Sequence, residues 1–483
     1  MNYRGVLFLL GRLQLVLAVT LLIPAALDFF GGGTHARAFL VPFAVVGLVG
    51  VLFELCFRQL QHFVFGRNEG FLLVTAAWTT ASLVGALPYI LIHGPAFAVD
   101  ALFESASGFT TTGASILVDI EAQPASLLLW RSLSQWLGGM GIIVLGIAIL
   151  PKLAVGGMEL LGAEAPGPLT EKLTPRIAQT AKTLWGIYLL LTLLEFGALM
   201  LAGMGAFDAV NHAMTTIATA GFSTSQGSIG GFQSPAIELV VIFFMIVAGM
   251  NFALHFKLLR GDHRPFFHDA ELRVYLLLLA AATALLTADL MMQGHVEDLA
   301  LALRQGAFQA ATILTTTGYS TADYDAWPAF ARILLFTLMF VGGCAGSTGG
   351  SVKVLRILIV LKKLAVDLKR LVQPRAVLPV RVGRRAIPEE VVASVTTFFI
   401  LFVALFAAGG VVLGAFGLDP VSAFAASAAC LGNIGPGLGL VGPAATYAEV
   451  PAPAKLILVG MMIVGRLELY TVLVSLYLMR KAF

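Results

Sequence analysis

Apolar residues along this chain collect into long, nearly unbroken runs, and polar residues gather between them. Runs near or above the roughly 20 residues a helix needs to cross a bilayer lie at about 5–30, 38–58, 71–93, 127–150, 184–205, 236–259, 272–293, 330–364, 391–416 and 454–479. The pattern predicts an all-α polytopic membrane protein with ten transmembrane helices. Arg4 and Arg12 accompany the first run, as in a signal peptide. The run exceeds an apolar signal region of about 7–15 residues and has no clear small-x-small cleavage site, so it reads as a retained helix.

Composition agrees: 58% of the 483 residues are hydrophobic and 12% charged, with a mean hydropathy of +0.91, which excludes an ordinary water-facing surface. Cys56, Cys344 and Cys430 lie far apart in apolar surroundings, so neither a disulfide framework nor zinc spacing follows. Charge then orients the chain. The segment 353–390 carries Lys353, Arg356, Lys362, Lys363, Lys369, Arg370, Arg375, Arg381, Arg384 and Arg385 against Asp367, Glu389 and Glu390. Loops 58–70, 151–183 and 257–273 and the Arg480, Lys481 end are basic too, whereas 94–126, 206–235 and 417–453 lean acidic. Basic loops stay inside, so both termini are expected in the cytoplasm. The acidic loops face outward, where they favour approaching cations.

Four blocks align on one glycine: DALFESASGFTTTG ends at Gly113, DAVNHAMTTIATAG at Gly221, QGAFQAATILTTTG at Gly318 and SAFAASAACLGNIG at Gly435. Each sits on the outer side between two long apolar runs and is too short to span. The repeating unit is helix, short re-entrant helix, loop, helix, with the four units arranged in fourfold pseudosymmetry. The expected organisation is two leading helices over 1–66, then repeats over 67–156, 157–262, 263–372 and 373–483.

Non-helical backbone at membrane depth survives only where protein buries it or it lines a watery cavity. A dehydrated monovalent cation needs a cage of oxygens, which rings of backbone carbonyls supply without full charges in the bilayer. Turning successive carbonyls inward demands dihedrals that glycine tolerates. The C-terminal, partially negative ends of the short helices would stabilise a cation at the axis. Because ATAG and GNIG replace two threonine runs, side-chain ligation cannot be fourfold, so the expected ligands are carbonyls. They belong to Thr111, Thr112, Thr219, Ala220, Thr316, Thr317, Asn433 and Ile434, with Gly113, Gly221, Gly318 and Gly435 alongside. One glycine per loop, where TVGYG has two, predicts a shorter filter.

SGFTTTGAS, QWLGGMGIIVLGIAILP, PRIAQTAKTLWGIYLLLT, GFSTSQGSIG, FVGGCAGSTGGSVKVLRI, NIGPGLG and GRLELYT, spread along nearly the whole chain, resemble the bacterial TrkH/TrkG potassium uptake subunits of the wider Trk/Ktr/HKT superfamily. The resemblance implies a pore of four M1, pore helix and M2 units in a bacterial inner membrane. It further implies a homodimer and gating by a cytoplasmic TrkA-like ring that binds nucleotides (NAD or ATP). Residues alone show that Gly342, Gly343, Gly346, Ser347, Thr348, Gly349 and Gly350 weaken helix continuity. Close helix packing of the small-xxx-small type would also use them. The resemblance favours an intramembrane gating loop, and for Arg466 a place facing the pore below it. An intramembrane charge is costly, and pairing with Glu468 or a helix-end position is the plainer account of Arg466. Glu195 reads as paired or interfacial.

Other signals weigh little. GLGLVG at 437–442 matches a dinucleotide pattern with no strand before it, and His255, His263 and His268 lack metal-ligand spacing. The basic segment 353–385 suits anionic lipid headgroups or an acidic partner. The bound species expected is the potassium ion, with no organic cofactor on this chain and no nucleic acid. Sodium- or proton-coupled symport on the same fold is the alternative, and a small-solute transporter with two related halves or an intramembrane enzyme using His212 is remoter.

Overall fold

The computed structural model describes residues 2–60, 66–148, 173–383 and 385–482. Parts of the expected basic loops 58–70 and 151–183, the 156/157 repeat boundary and Arg384 lie outside them. The chain opens with a helical hairpin, α1 (Tyr3–Phe30) and α2 (Arg37–Phe57). The two helices approach at Gly11 and Gly50, where a Cβ on Gly50 would lie 2.9 Å from the Gly11 carbonyl oxygen.

Four units follow, each beginning with a long helix and then a short one. The first is α3 (Arg67–His93), α4 (Ala98–Phe109) and α5 (Ala125–Ala148). The second is α6 (Leu173–Leu201), α7 (Ala206–Ile217), α8 (Pro235–Ala248) and α9 (Phe252–Leu259). A short α10 (Arg264–His268) leads to the third: α11 (Ala270–Met292), α12 (Leu299–Leu314), α13 (Ala329–Leu338) and α14 (Val354–Val372). A two-residue antiparallel pair, Arg381–Val382 with Arg385–Ala386, precedes the fourth: α15 (Glu389–Ala415), α16 (Pro420–Leu431), α17 (Ala452–Arg466) and α18 (Tyr470–Ala482). The units close on themselves, since Thr75 of α3 meets Ser475 of α18 (3.0 Å) and Asp100 of α4 pairs with Lys455 of α17 (2.5 Å). Asp28 ties the leading hairpin to α5 by accepting from Ser126 Oγ (3.0 Å).

Among the described residues, six helices are long and apolar enough to cross a membrane: α1, α2, α3, α6, α11 and α15. The chain is a multi-pass, predominantly helical membrane protein. Three of the ten expected spans are not single helices. The run 236–259 bends by 97° between α8 and α9, and 454–479 by 109° between α17 and α18. The run 330–364 is split by the non-helical residues 339–353. Hydropathy averages over a whole span, so the few polar residues at these breaks, Asn251 and Glu468 among them, do not register.

Each break has a partner that satisfies its freed backbone, as burial at membrane depth requires. At the α8–α9 bend, the Gly249 carbonyl accepts from Cys344 N (2.8 Å) and Phe252 N donates to the Gly346 carbonyl (3.1 Å). At the α17–α18 bend, Glu468 and Leu469 take positive φ of 58° and 51°, a left-handed conformation that non-glycine residues rarely hold. Glu468 is anchored there by a buried ion pair with Arg356 of α14, whose guanidinium lies 4.2 Å from the Phe398 ring centroid. Removing one partner of such a pair costs roughly 3–5 kcal/mol. Glu468→Ala is therefore expected to lower the thermal midpoint of the detergent-solubilised protein markedly and Glu468→Gln less so; an unchanged midpoint for Glu468→Ala would show that the bend stands without the pair.

Candidate functional site

The four short helices share one design. Aspartates stand at their N-terminal starts: Asp100 and Asp208 in the first turns of α4 and α7, Asp298 and Asp419 as N-caps of α12 and α16. A negative charge there complements the positive end of the helix dipole. Hydrogen bonds from Ser422, first its side chain and then its backbone amide, hold the Asp419 carboxyl below the usual carboxylate range.

Their inner ends also close alike. In α4, Thr112 N donates to the Ser107 carbonyl (2.8 Å) and Thr111 N to the Gly108 carbonyl (2.9 Å), the paired bonds of a Schellman termination. The same pair recurs as Ala220 to Thr215 and Thr219 to Thr216, Thr317 to Thr312 and Thr316 to Ile313, and Ile434 to Ala429 and Asn433 to Cys430. The turning residue is left-handed in each: Thr111 (φ 54°), Thr219 (51°), Thr316 (60°) and Asn433 (53°). Glycine usually holds this position. A β-branched threonine there is strained by roughly 1–3 kcal/mol, which the surrounding packing must over-determine. Two residues on, Gly113, Gly221, Gly318 and Gly435 have φ of 80°, 77°, 84° and 101°.

These glycines bring the four turns together. A Cβ built on Gly113 would collide with the Ala220 carbonyl oxygen, one on Gly221 with that of Thr317, and one on Gly318 with that of Ile434. One on Gly435 would lie 2.7 Å from the Thr112 carbonyl oxygen. Each turn touches the next and the fourth touches the first, so Thr111–Gly113, Thr219–Gly221, Thr316–Gly318 and Asn433–Gly435 form one closed ring of backbone, buried but for the partly exposed Gly113, Gly221 and Gly318. The four glycines that fall in register along the sequence thus share one place.

The side chains around the ring differ between quarters. Thr110 Oγ1 meets Thr112 Oγ1 (2.7 Å) and Thr315 Oγ1 meets Thr317 Oγ1 (2.8 Å), so those hydroxyls brace their own loops. Asn433 Nδ2 donates to Thr112 Oγ1 (2.9 Å) across the first and fourth turns. Two braces escaped the sequence reading because they are remote in the chain: Gln135 of α5 donates to the Ala220 carbonyl (2.7 Å), and the Tyr447 hydroxyl to the Gly435 carbonyl (2.8 Å). A carbonyl has a second lone pair, so Ala220 keeps acceptor capacity.

Residues 339–353 lie directly against the ring. The segment is stapled at its base by Gly342 N to the Val352 carbonyl (2.8 Å) and Val354 N to the Gly343 carbonyl (3.2 Å). Glu271, at the start of α11, accepts from Ala345 N (2.6 Å) and Leu355 N (3.0 Å). The tip is buried under the helix ends: Thr348 Oγ1 donates to the Ile217 carbonyl (3.0 Å) and Gly350 N to Thr316 Oγ1 (2.6 Å). A Cβ on Gly349 would lie 3.0 Å from the Thr315 carbonyl oxygen, and one on Gly350 would collide with that of Gly432. The Lys353 ammonium donates to the Gly349 carbonyl, while Gly346 (φ 76°) supplies a turn and Ser347 N closes on the Cys344 carbonyl (3.1 Å).

Arg466 is 2% exposed and does not pair with Glu468, which Arg356 holds instead. Its Nη1 donates to the Thr348 carbonyl (2.8 Å) and its Nη2 to the Gly138 carbonyl of α5 (3.2 Å). Arg466 therefore joins the tip of the 339–353 loop to the helix that follows the first ring turn. Glu195 is fully buried on α6 beside Thr216 and is not ion-paired among the described residues.

Other sequence signals resolve locally. His212 shares one ring nitrogen with the Asp208 carbonyl (2.8 Å) and the other with Ser223 Oγ (2.9 Å), so it braces α7. The GLGLVG segment lies in a turn whose Gly439 amide donates to Asp325 (3.1 Å).

A family model described as "TrkH: Cation transport protein" matches residues 45–482. The chain is 42% identical over 477 residues to the Trk system potassium uptake protein TrkH of Salmonella typhimurium, with 98% of each chain covered. It is 37% identical over 410 residues to TrkG of Escherichia coli, covering 84% of each. The crystal structure of the potassium transporter TrkH from Vibrio parahaemolyticus superposes with a TM-score of 0.91 at 39% identity, covering 98% of both chains. These relatives are named as transport proteins, not enzymes. The chain belongs to the TrkH family of cation transport proteins.

Proposed function

We propose that this protein carries potassium inward through the ring of four turns, with the 339–353 loop as its gate. The observation that carries the reading is the ring itself: four helix ends, each terminated by the same left-handed turn and glycine, meeting in one closed circuit. Carbonyls of Thr111, Thr112, Thr219, Ala220, Thr316, Thr317, Asn433 and Ile434 supply oxygens in four quarters, and the converging helix C-termini favour a cation there. Potassium is preferred to sodium as cargo because a ring of neutral carbonyls replaces the weaker hydration shell more readily. In this reading the chain has ten membrane crossings and four re-entrant loops, with α8–α9 and α17–α18 each bent within one crossing.

Below the ring, Thr348, Gly349 and Gly350 obstruct the path, and the Arg466 guanidinium adds a positive charge that opposes cations while the loop is in place. Opening requires the loop to leave Ile217, Thr316 and Gly432. The lever is α14, which begins where the loop ends and carries Lys362, Lys363, Lys369 and Arg370 toward the cytoplasmic side. Those charges suit anionic lipid headgroups and a TrkA-like nucleotide-binding ring, and a second copy of this chain completes the assembly in a bacterial inner membrane, termini inside.

The test is purified protein in liposomes with imposed potassium, rubidium and sodium gradients, with and without a pH gradient. Potassium and rubidium flux exceeding sodium flux is expected. Equal flux of all three, or none above empty liposomes, would sink the reading; a strict need for a pH or sodium gradient would turn it into symport.

A further inference from the structure

The four ring turns are alike in backbone but not in what stands behind them. Counting from the aligned blocks, one position on each short helix is Glu104, His212, Gln309 and Ala426, and the residue two after each glycine is Ser115, Ser223, Ser320 and Gly437. In the first turn Ser115 Oγ donates to Glu104 Oε1 (2.9 Å), and in the second Ser223 Oγ meets His212 Nε2 (2.9 Å). The helix is thus stitched to its own outgoing strand in two quarters. In the fourth, alanine and glycine leave nothing to stitch.

One buried side chain spans the first two quarters close to the ring. Arg131 of α5 is 1% exposed, and Glu104 fully buried. Arg131 Nε donates to Glu104 Oε1 (2.9 Å), Nη2 to Ser115 Oγ (3.1 Å), and Nη1 to the Ser223 carbonyl of the second turn (3.0 Å). Its guanidinium carbon lies 4.1 Å from the Phe222 ring centroid, next to Gly221. The other Glu104 oxygen accepts from Ile116 N (2.8 Å). A planar, forked donor is the one side chain that can address a carboxylate, a hydroxyl and a carbonyl in fixed relative directions. The full positive charge is cancelled by Glu104, so it does not oppose a cation in the ring.

We propose that Arg131 is a positioning residue for ion selection: it locks the outgoing strands of the first and second turns to each other and so sets the spacing of Thr112 and Ala220 carbonyls across that quarter. The inference rests on the reading of the ring as a potassium filter. Preorganised sites lose function steeply when a supporting group lets them shift by about 1 Å, and discrimination between potassium and sodium is the property that such a shift degrades.

The experiment compares rubidium and sodium flux through liposomes holding the whole chain as wild type, Arg131→Lys, Arg131→Met, or Glu104→Gln with Arg131→Met, each taken as the monodisperse peak from size exclusion. Wild type is expected to favour rubidium, and all three variants to lose roughly tenfold of that preference while still conducting. Lysine keeps the charge but not the fork, so its loss separates position from charge. Variants that lose both fluxes in proportion, with the preference intact, would overturn the proposal, as would recovery of the preference in the doubly neutralised variant. A wild type with no preference would instead overturn the filter reading itself.

Discussion

Gly318→Ser is expected to abolish discrimination between potassium and sodium. Gly318 holds φ +84°, where a side chain is strained by roughly 1–3 kcal/mol. Its added Cβ would collide with the Ile434 carbonyl oxygen and lie 2.9 Å from Pro436 Cδ. Both obstacles belong to the neighbouring turn, so relief comes only by opening the ring between its third and fourth quarters. A fall of at least tenfold in the ratio of rubidium to sodium flux in liposomes is expected, where tenfold corresponds to about 1.4 kcal/mol. Gly113→Ser should do the same through Ala220. Gly186→Ser is the control, because a Cβ there meets nothing within 4 Å. If both ring variants keep the wild-type ratio, the carbonyl ring is not what chooses the ion.

Arg466→Gln is expected to act in the opposite sense, raising flux without changing preference. The side chain makes two hydrogen bonds, to Thr348 and Gly138 carbonyls, that hold the loop tip against the helix ends. Hydrogen bonds from charged groups contribute about 1.5–3 kcal/mol each. Losing even one moves a closed-to-open equilibrium by roughly tenfold, and the substitution also removes a positive charge from beside the path. Uptake rate without any added partner should rise by about that factor at an unchanged rubidium-to-sodium ratio. A lower rate, or a changed ratio, would place Arg466 in support of the ring and not of the gate.

The two predictions rest on features of different legibility. Gly318 stood out in the sequence because TTTG repeats at 110–113 and 315–318, and because Gly221 and Gly435 fall in register with no threonine run to announce them. Such a glycine is dictated locally: a helix must end and its chain must turn, and the positive φ that follows is written into one residue type. The left-handed Thr111, Thr219, Thr316 and Asn433 carry no such mark, because threonine is a poor choice for that conformation and only the packed ring enforces it. Arg466 was conspicuous as a charge in an apolar run, yet adjacency suggested the wrong partner. Glu468 is two residues away but bound to Arg356, since the chain turns sharply between α17 and α18 and points the two side chains apart.

The bends themselves were invisible. The segments 236–259 and 454–479 are apolar on average despite Asn251, Arg466 and Glu468, and hydropathy integrates over a span without asking whether each amide finds its carbonyl four residues back. Whether Gly249 and Phe252 bond within a helix or to Cys344 and Gly346 depends on a loop that arrives from nearly a hundred residues later. The braces at Gln135, Tyr447 and Arg131 were hidden for the same reason.

The sequence by itself determined the environment, the helical class, the fourfold repetition and the glycines at its turns, because each follows from short-range chemistry: transfer free energy along a span, or one residue's allowed dihedrals. Only the tertiary structure decided that the four turns touch in a closed circuit, that 339–353 packs beneath them, and which distant side chain satisfies each freed carbonyl. Those outcomes depend on which buried polar groups meet across the fold, and in a bilayer, where no water can substitute for a missing partner, that pairing is what selects one arrangement of the helices.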